Sequence, residues 1–374
     1  MKAVILCAGK GLRMLNQSTN THKSLLPISE NQSFLSRILH QLVEYDFKEV
    51  IVITGYNSHL IRNEVKKFQL NIKLIHNNLF EKDTNIWSMK LAIESITSFN
   101  EPLLIIEADT YFSNLVFNSI VKNLKKNIST WFTKGLFVKT EFGGILEKDI
   151  NNNVSNIKIV KDYDDSLKNF YKLTGLMIVE SKHIKPFLKL LKAYSKISLK
   201  QYYLKPWYEN LNLLPSKSID FTKHSIISCN TKDEYNNLKI FLNKKINVNI
   251  ELISRNSLFP IEGFIEERKN DLFDEIKTHK RWIKPLVIEK NFNLILDGHH
   301  RFEVSKLLNL DLLPCIKVDY NDVELWSLRD ELVVSREIVI KKALEGDIYP
   351  CKTVKHDFNF STIECDYKFS ELKI

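Results

Sequence analysis

Asp297-Gly298-His299-His300-Arg301 gathers one carboxylate, two imidazoles and a guanidinium around a glycine. It follows the apolar run Leu294, Ile295, Leu296 and precedes Phe302, Val304, Leu307 and Leu308, which recur at helical spacing. Strand, tight turn and helix start is the expected order. The first N–H groups of a helix have no intrahelical acceptor, so they face whatever lies in the turn, and histidine and arginine add donors suited to phosphate. An anion site is one reading, and a surface turn with solvated charges is the other. A second stretch, Cys7-Ala8-Gly9-Lys10-Gly11-Leu12-Arg13, is glycine-rich and basic but matches neither the Walker A nor the G-x-G-x-x-G spacing. Its glycines permit close approach of backbone amides to a phosphate chain, with Lys10, Arg13 and Lys23 to neutralise it. Asp109, just past the apolar run ending at Glu107, is a metal-ligand candidate or an ordinary turn residue.

The elements that must position these groups alternate in the first half. Lys2 to Cys7 is a compact apolar strand, and Phe34, Leu35, Ile38, Leu39, Leu42 and Val43 make one helical face. Val50 to Thr54 is a β-branched strand, Leu60 to Phe68 a helix and Ile72 to Ile75 a strand. Ile86, Met89, Ile93 and Ile96 form another helical stripe before the strand Leu103 to Glu107. Strands separated by helices predict a parallel, doubly wound α/β sheet, whose ligands sit at the carboxyl ends of strands. After Leu238 to Leu242 and Lys244-Lys245, a new strand begins at Ile250, so domains of 1–245 and 246–374 are expected. The second is smaller and α+β.

Composition adds bounds. The 374 residues are 44% hydrophobic and 26% charged, which suits two globular domains. Five cysteines without C-x-x-C spacing fit neither a disulfide framework nor a zinc site. The net charge of +9 is interspersed with acids and forms no dense basic tract, so small anions are expected as ligands, not nucleic acid. The apolar start, Met1 to Gly9, is too short for a membrane span and lacks a cleavage pattern, and a cytoplasmic location is the expectation.

Leu6-Cys7-Ala8-Gly9-Lys10-Gly11-Leu12-Arg13-Met14 followed by His22-Lys23-Ser24-Leu25-Leu26-Pro27 resembles the signature of the nucleoside-triphosphate transferase superfamily. Thr84-Asn85-Ile86-Trp87-Ser88, Glu107-Ala108-Asp109 and Tyr171-Lys172-Leu173-Thr174-Gly175 are similar to the phosphocholine and aminoethylphosphonate cytidylyltransferase branch. The resemblance implies a Rossmann-like nucleotidyltransferase domain in which a substrate phosphate attacks the α-phosphorus of CTP. It gives Arg13 the β- and γ-phosphates, Lys23 the α-phosphate and incoming phosphate, and Asp109 a Mg2+ ion. Leu6, Ala8, Gly9, Lys10 and Gly11 line the nucleotide, and Asn85 and Ser88 the second substrate. One departure stands out: further metal-binding acids near the domain's end are replaced by Ser228 and Asn230, leaving Asn230 as a neutral ligand candidate. Trp131 and Asp162-Tyr163-Asp164-Asp165 offer aromatic and acidic groups for an ammonium head, with a solvated loop as the competing reading.

The second half resembles the ParB/sulfiredoxin-like fold and, within it, the free L-serine kinases. Gly346-Asp347-Ile348-Tyr349-Pro350-Cys351-Lys352-Thr353-Val354-Lys355-His356 is similar to their closing G-x-x-Y-x-x-K-T-x-x-H motif. The resemblance makes Glu262 the catalytic carboxylate and Asp297 a second carboxylate or magnesium partner. It makes Gly298, His299, His300 and Arg301 a cradle for ATP or ADP phosphates, with Lys352, Thr353 and His356 closing over phosphate and substrate. Sulfiredoxin chemistry needs a cysteine where His299 and His300 stand. A ParB-type module binding DNA or CTP is the alternative, although the helix-turn-helix segments that normally follow it are replaced by a short helix-like region around Glu331 to Leu344.

Joined, the halves imply a bifunctional enzyme that makes O-phospho-L-serine from L-serine and couples it to CTP, giving CDP-L-serine, with surface polysaccharide decoration as the expected use. The alternatives are a cytidylyltransferase for phosphocholine, phosphoethanolamine or aminoethylphosphonate with another small-amine kinase, and a nucleotide-binding regulatory protein with degenerate sites. Partners are expected to be small molecules, with no membrane and self-association left open.

Overall fold

Ala3, Ile5 and Cys7 alternate with Val4 and Leu6 along the first strand, and each set meets a different helical layer. The computed structural model describes residues 1–11, 21–29, 32–221, 226–242, 249–329, 331–358, 360 and 364–373. Contacts divide the chain into two compact units, Met1–Leu242 and Asn243–Ile374. The expected boundary at 245/246 lies outside the described residues, as does Arg13.

In the first unit, four parallel strands run in the order Leu103–Glu107, Lys2–Cys7, Glu49–Thr54, Ile72–His76. One face of this sheet packs on the helices Phe34–Glu44, Ser58–Val65 and Asn114–Leu124, the other on Ile86–Glu94 and Ser181–Ile197. This is the doubly wound arrangement, since parallel strands need crossover connections that bury both faces. The sheet is also mixed. Strand Tyr171–Val179 pairs antiparallel with Leu103–Glu107 and carries Thr130–Leu136 and Gly143–Lys148 beyond it. Antiparallel strands need no helix between them, so helical spacing could not announce this half of the sheet.

The second unit holds a five-stranded sheet in the order Ile250–Ser254, Leu312–Val318, Leu286–Glu289, Leu294–Asp297, Phe259–Pro260. Leu286, Ile288 and Ile295 face the helices Glu266–His279 and His299–Leu307, while Val287, Leu294 and Leu296 face Arg336–Leu344. Beside it, Glu324–Ser327 pairs antiparallel with Val354–Asp357. Among the described residues, no helix is long and apolar enough to cross a membrane.

Candidate active sites

Strand Lys2–Cys7 lies between Glu49–Thr54, which follows it through a helix, and Leu103–Glu107, which arrives on its other flank. Ligands of open α/β sheets bind outside the carboxyl ends of strands at such a switch point. Ala8 to Gly11 leave the first of these strand ends, and Glu107 and Asp109 close the second. Gly9 is open, since a Cβ there would meet nothing within 4 Å. Gly11 has φ +63°, and a Cβ there would press on the Lys23 side chain at 3.0 Å. Ala8 is buried and its carbonyl accepts from Tyr56 N. Leu6 packs against the second core cluster, so its side chain serves the fold. Lys10 reaches Glu81 at 2.7 Å in a solvent-facing pair.

Lys23 sits in a short 3-10 turn, Lys23–Leu25, whose preceding residue His22 accepts from Ser24 N through Nδ1. Burial and the neighbouring ammonium pull His22 down to about 4, so the ring is a neutral support. Lys23 forms an ion pair with the Asp109 carboxylate, and the two side chains are 23% and 8% exposed. Burial opposes charge on Lys23, but Asp109 and Glu107 outweigh it and hold the ammonium above its ordinary value. Glu107 is raised, first by burial and then by the charge of Asp109, and it hydrogen-bonds with the buried Tyr203 hydroxyl. Gly175 has φ +77°, and any Cβ there would come within 2.9 Å of the Glu107 carboxylate. Sequence reasoning quoted Glu107, Lys172 and Gly175 inside motifs without giving them roles, and it missed Tyr203, which lies 96 positions away.

The remaining candidates of this unit divide. Ser228 Oγ accepts from Thr110 Oγ1 at 3.3 Å, and Cys229 N donates to Asp109 O, so the segment carrying Ser228 and Asn230 runs beside Asp109. Asn230 N donates to Glu234 Oε2. The expected substrate contacts Asn85 and Ser88 are instead engaged in the scaffold: Asn85 Oδ1 accepts from Tyr203 N at 2.8 Å, and buried Ser88 donates to Asp83. Trp131 is 2% exposed and packs edge-on against Trp207, so it is core and no part of an ammonium box. No group of three or more His, Cys, Asp or Glu arranged to hold a metal occurs among the described residues. Two adjacent carboxylates, one raised by the other's charge, still suit Mg2+, which takes few protein oxygens and completes its shell with phosphates and water.

In the second unit, strand Leu294–Asp297 ends in Gly298 at φ +103°, and helix His299–Leu307 begins. A Cβ on Gly298 would lie 2.4 Å from Leu286 Cδ2, so glycine is required both by the dihedral and by the space. Arg301 reaches back to Asp297 Oδ2 at 2.7 Å. His300 Nε2 accepts from Ile265 N, and its proton affinity is lowered by burial and by nearby Arg268 and Lys352. Arg301, Arg268 and Lys352 thus gather positive charge around a neutral His300 at a helix N-terminus, the setting an anion favours.

Glu262 is held by the turn that carries Lys352. Its Oε2 accepts from Thr353 N at 3.0 Å and Val354 N at 3.1 Å, yet burial leaves its proton affinity above the ordinary carboxylate value. Lys352 supplies the turn by adopting φ +59°, costly for a residue with a Cβ. Arg329 fastens the turn from the other side, donating to Thr353 Oγ1 at 3.1 Å and Cys351 O at 3.2 Å. Nothing in the sequence marked Arg329. Three expectations need correction here. Thr353 is buried with its hydroxyl donated to Pro350 O, so it positions Glu262 through its amide instead of closing over substrate. His356 is buried against the Tyr320 hydroxyl at 3.0 Å and pulled down to about 3 by burial, so it offers phosphate no cation. His299, pulled down to about 4, accepts from Ile261 N and supports the cradle from below.

Comparison with known proteins matches residues 3–133 to the MobA-like NTP transferase domain. A choline-phosphate cytidylyltransferase of Haemophilus influenzae is 28% identical over 201 residues, covering 54% of this chain and 78% of that protein. A ParB-like protein of Sulfolobus acidocaldarius is 35% identical over 120 residues, covering 28% of this chain and 60% of that protein. An ATP-dependent L-serine kinase of Desulfurococcus mucosus is 30% identical over 98 residues, covering 25% of this chain and 38% of that protein. This chain therefore spans less than two thirds of each of the latter two. The solved CTP:phosphocholine cytidylyltransferase of Streptococcus pneumoniae has the same fold, with a TM-score of 0.54 at 21% identity over 65% of this chain and 99% of that one. The chain accordingly joins an NTP transferase domain resembling choline-phosphate cytidylyltransferases to a region similar to a ParB-like protein and an L-serine kinase.

Proposed function

We propose that the chain is a bifunctional transferase: its second unit phosphorylates free L-serine, and its first couples O-phospho-L-serine to CTP, releasing pyrophosphate and CDP-L-serine. The observation that carries the reading is Glu262, a half-buried carboxylate held by two backbone amides of the turn carrying Lys352, whose charge, like that of Arg301, acts on His300. Such a group is a proton acceptor beside a phosphate site. The L-serine kinase relative supports serine as the alcohol, and the cytidylyltransferase relative supports CTP as the partner of a phosphorylated small molecule.

In the kinase step Glu262 takes the serine hydroxyl proton as the oxygen attacks the terminal phosphorus of ATP or ADP, and the shortened nucleotide leaves. The helix start at His299, with Arg301 and Lys352, neutralises the transferred charge. In the cytidylyl step an oxygen of the acceptor phosphate attacks the α-phosphorus of CTP, and the bond to the β-phosphate oxygen breaks. Lys23 exchanges Asp109 for the phosphates, and the open backbone at Gly9 lets the nucleotide approach. Asp109 and Glu107 would hold Mg2+, which supplies charge neutralisation when bound. Asp297 remains a candidate magnesium partner of the kinase site.

Phosphorus NMR of the protein with L-serine, ATP, CTP and Mg2+, repeated with phosphoserine in place of serine, tests this. A diphosphate diester from both mixtures is expected. Phosphoserine with CTP untouched refutes the acceptor assignment. Phosphocholine is the second reading for the acceptor, favoured by the span of the choline-phosphate relative.

A further inference from the structure

We infer that Lys172 is a specificity residue of the first unit, binding the α-carboxylate of an amino-acid acceptor and so separating phosphoserine from acceptors that lack that group. The inference rests on the cytidylyltransferase reading of this site. Lys172 Nζ donates to Gly144 O and to Leu173 O, each at 3.1 Å. An ammonium carries three N–H donors, so two neutral carbonyls leave one to direct elsewhere. Among the described residues no carboxylate pairs with it at ion-pair distance, although it lies within the fields of Lys134, Glu141, Glu107 and Glu234. Burial accordingly pulls its proton affinity down to about 8. A cation in this state gains from an incoming anion, since burial without a charge partner is costly.

Gly143 stands at φ +97°, and a Cβ there would meet Nζ at 3.7 Å, so this glycine lies against the ammonium and puts no side chain over it. The charges that act on Lys172 are mixed in sign: Glu107 and Glu234 are carboxylates, and Glu141 is paired with Lys134 at 3.0 Å. An α-amino acid head presents an ammonium and a carboxylate side by side and can satisfy both signs, with Glu141 taking the ammonium. A choline head presents only a positive charge, which Lys172 repels. Phosphoethanolamine has the ammonium without the carboxylate and therefore isolates the contribution of Lys172.

Pyrophosphate release by the full chain with CTP and Mg2+ is to be measured for phosphoserine, phosphoethanolamine and phosphocholine in the wild type, Lys172→Gln, Lys172→Met and Lys172→Arg. The glutamine variant keeps a donor for the two carbonyls, and an unchanged thermal transition certifies the fold. Losing a charge-assisted hydrogen bond should raise the KM for phosphoserine by roughly 10- to 100-fold, with kcat and the phosphoethanolamine parameters unmoved. Lys172→Arg should restore most of the affinity. Equal losses for phosphoserine and phosphoethanolamine, or no loss for phosphoserine, overturn the inference and leave Lys172 as a brace for the Gly143–Lys148 strand. Wild-type turnover of phosphocholine but not phosphoserine instead overturns the acceptor reading on which the inference rests.

Discussion

Asp109, buried, and Glu262, half-buried, are both carboxylates just past the ends of strands, and their partners differ in kind. Asp109 is paired with the ammonium of Lys23, whereas Glu262 is held by the neutral amides of Thr353 and Val354. A carboxylate paired with a cation serves to place charge. A half-buried carboxylate held mainly by backbone amides, with Arg329 a lesser influence, keeps a raised proton affinity and is suited to accept a proton. This difference fits the proposed function, in which the first unit neutralises charge around a preformed phosphate and the second deprotonates an alcohol.

The largest effect should come from exchanging the two carboxylates' capacities. Glu262→Gln keeps the shape and an acceptor for the amides but removes the base, so serine phosphorylation should fall about 10²- to 10⁴-fold while CTP turnover with phosphoserine continues. Lys23→Ala should do the reverse, lowering cytidylyl transfer by about 10²-fold or more. Loss of both activities in either variant would break the two-site comparison. The retained kinase activity of Lys23→Ala should also fall on the acid side as Glu262 gains its proton, with an apparent pKa above that of an ordinary glutamate.

Two glycines give an intermediate effect. Gly298→Ala and Gly175→Ala both force a Cβ onto a left-handed backbone, but the obstacles differ. At Gly298 the obstacle is Leu286 Cδ2 at 2.4 Å, a core side chain, and at Gly175 it is the Glu107 carboxylate at 2.9 Å. Gly298→Ala should cost about 1–3 kcal/mol of the second unit's stability, read from denaturant midpoints followed by hydrogen exchange of its own peptides. Gly175→Ala should lower cytidylyl transfer more than it lowers stability. Equal and small stability losses at both would show that the cradle at Gly298 is not under steric constraint.

What was legible in the chain follows the same division. The parallel strands Lys2–Cys7, Glu49–Thr54 and Leu103–Glu107 are continuous apolar runs because both their faces are buried, and the helices between them carry one-sided stripes. The strand, glycine and helix start at Leu294–His299 were equally visible, since a left-handed glycine between two periodicities leaves a local trace. The antiparallel strands Gly143–Lys148 and Val154–Val160 are half-exposed and pair with each other as a hairpin, but its place in the sheet is set by Tyr171–Val179, a neighbour more distant in sequence. The site partners were lost for the same reason. Tyr203 beside Glu107 and Arg329 behind Thr353 are contacts across long sequence separations, with no spacing to read. His356 was misjudged because a histidine near the end of a motif looks available, and only burial against Tyr320 shows that it is neutral.

That burial makes the smallest prediction, and it again separates the units. A histidine with a depressed folded pKa contributes stability that is fully present above its unfolded value near 6.5 and is lost as pH falls toward the folded value. The second unit has three such rings, His356 at about 3, His299 at about 4 and His300 lowered, while the first has two, His22 at about 4 and His183 lowered. Raised carboxylates act with the opposite sign, and each unit contains one, Glu262 and Glu107. The excess of such rings should make hydrogen-exchange protection of the second unit fall more steeply than that of the first between pH 6.5 and 4. His356→Asn keeps a partner for Tyr320 without a titrating ring, so it should flatten the slope in the second unit alone. An unchanged slope would mean that His356 remains accessible to protons in the folded state, and would return it to the list of groups that meet the phosphate.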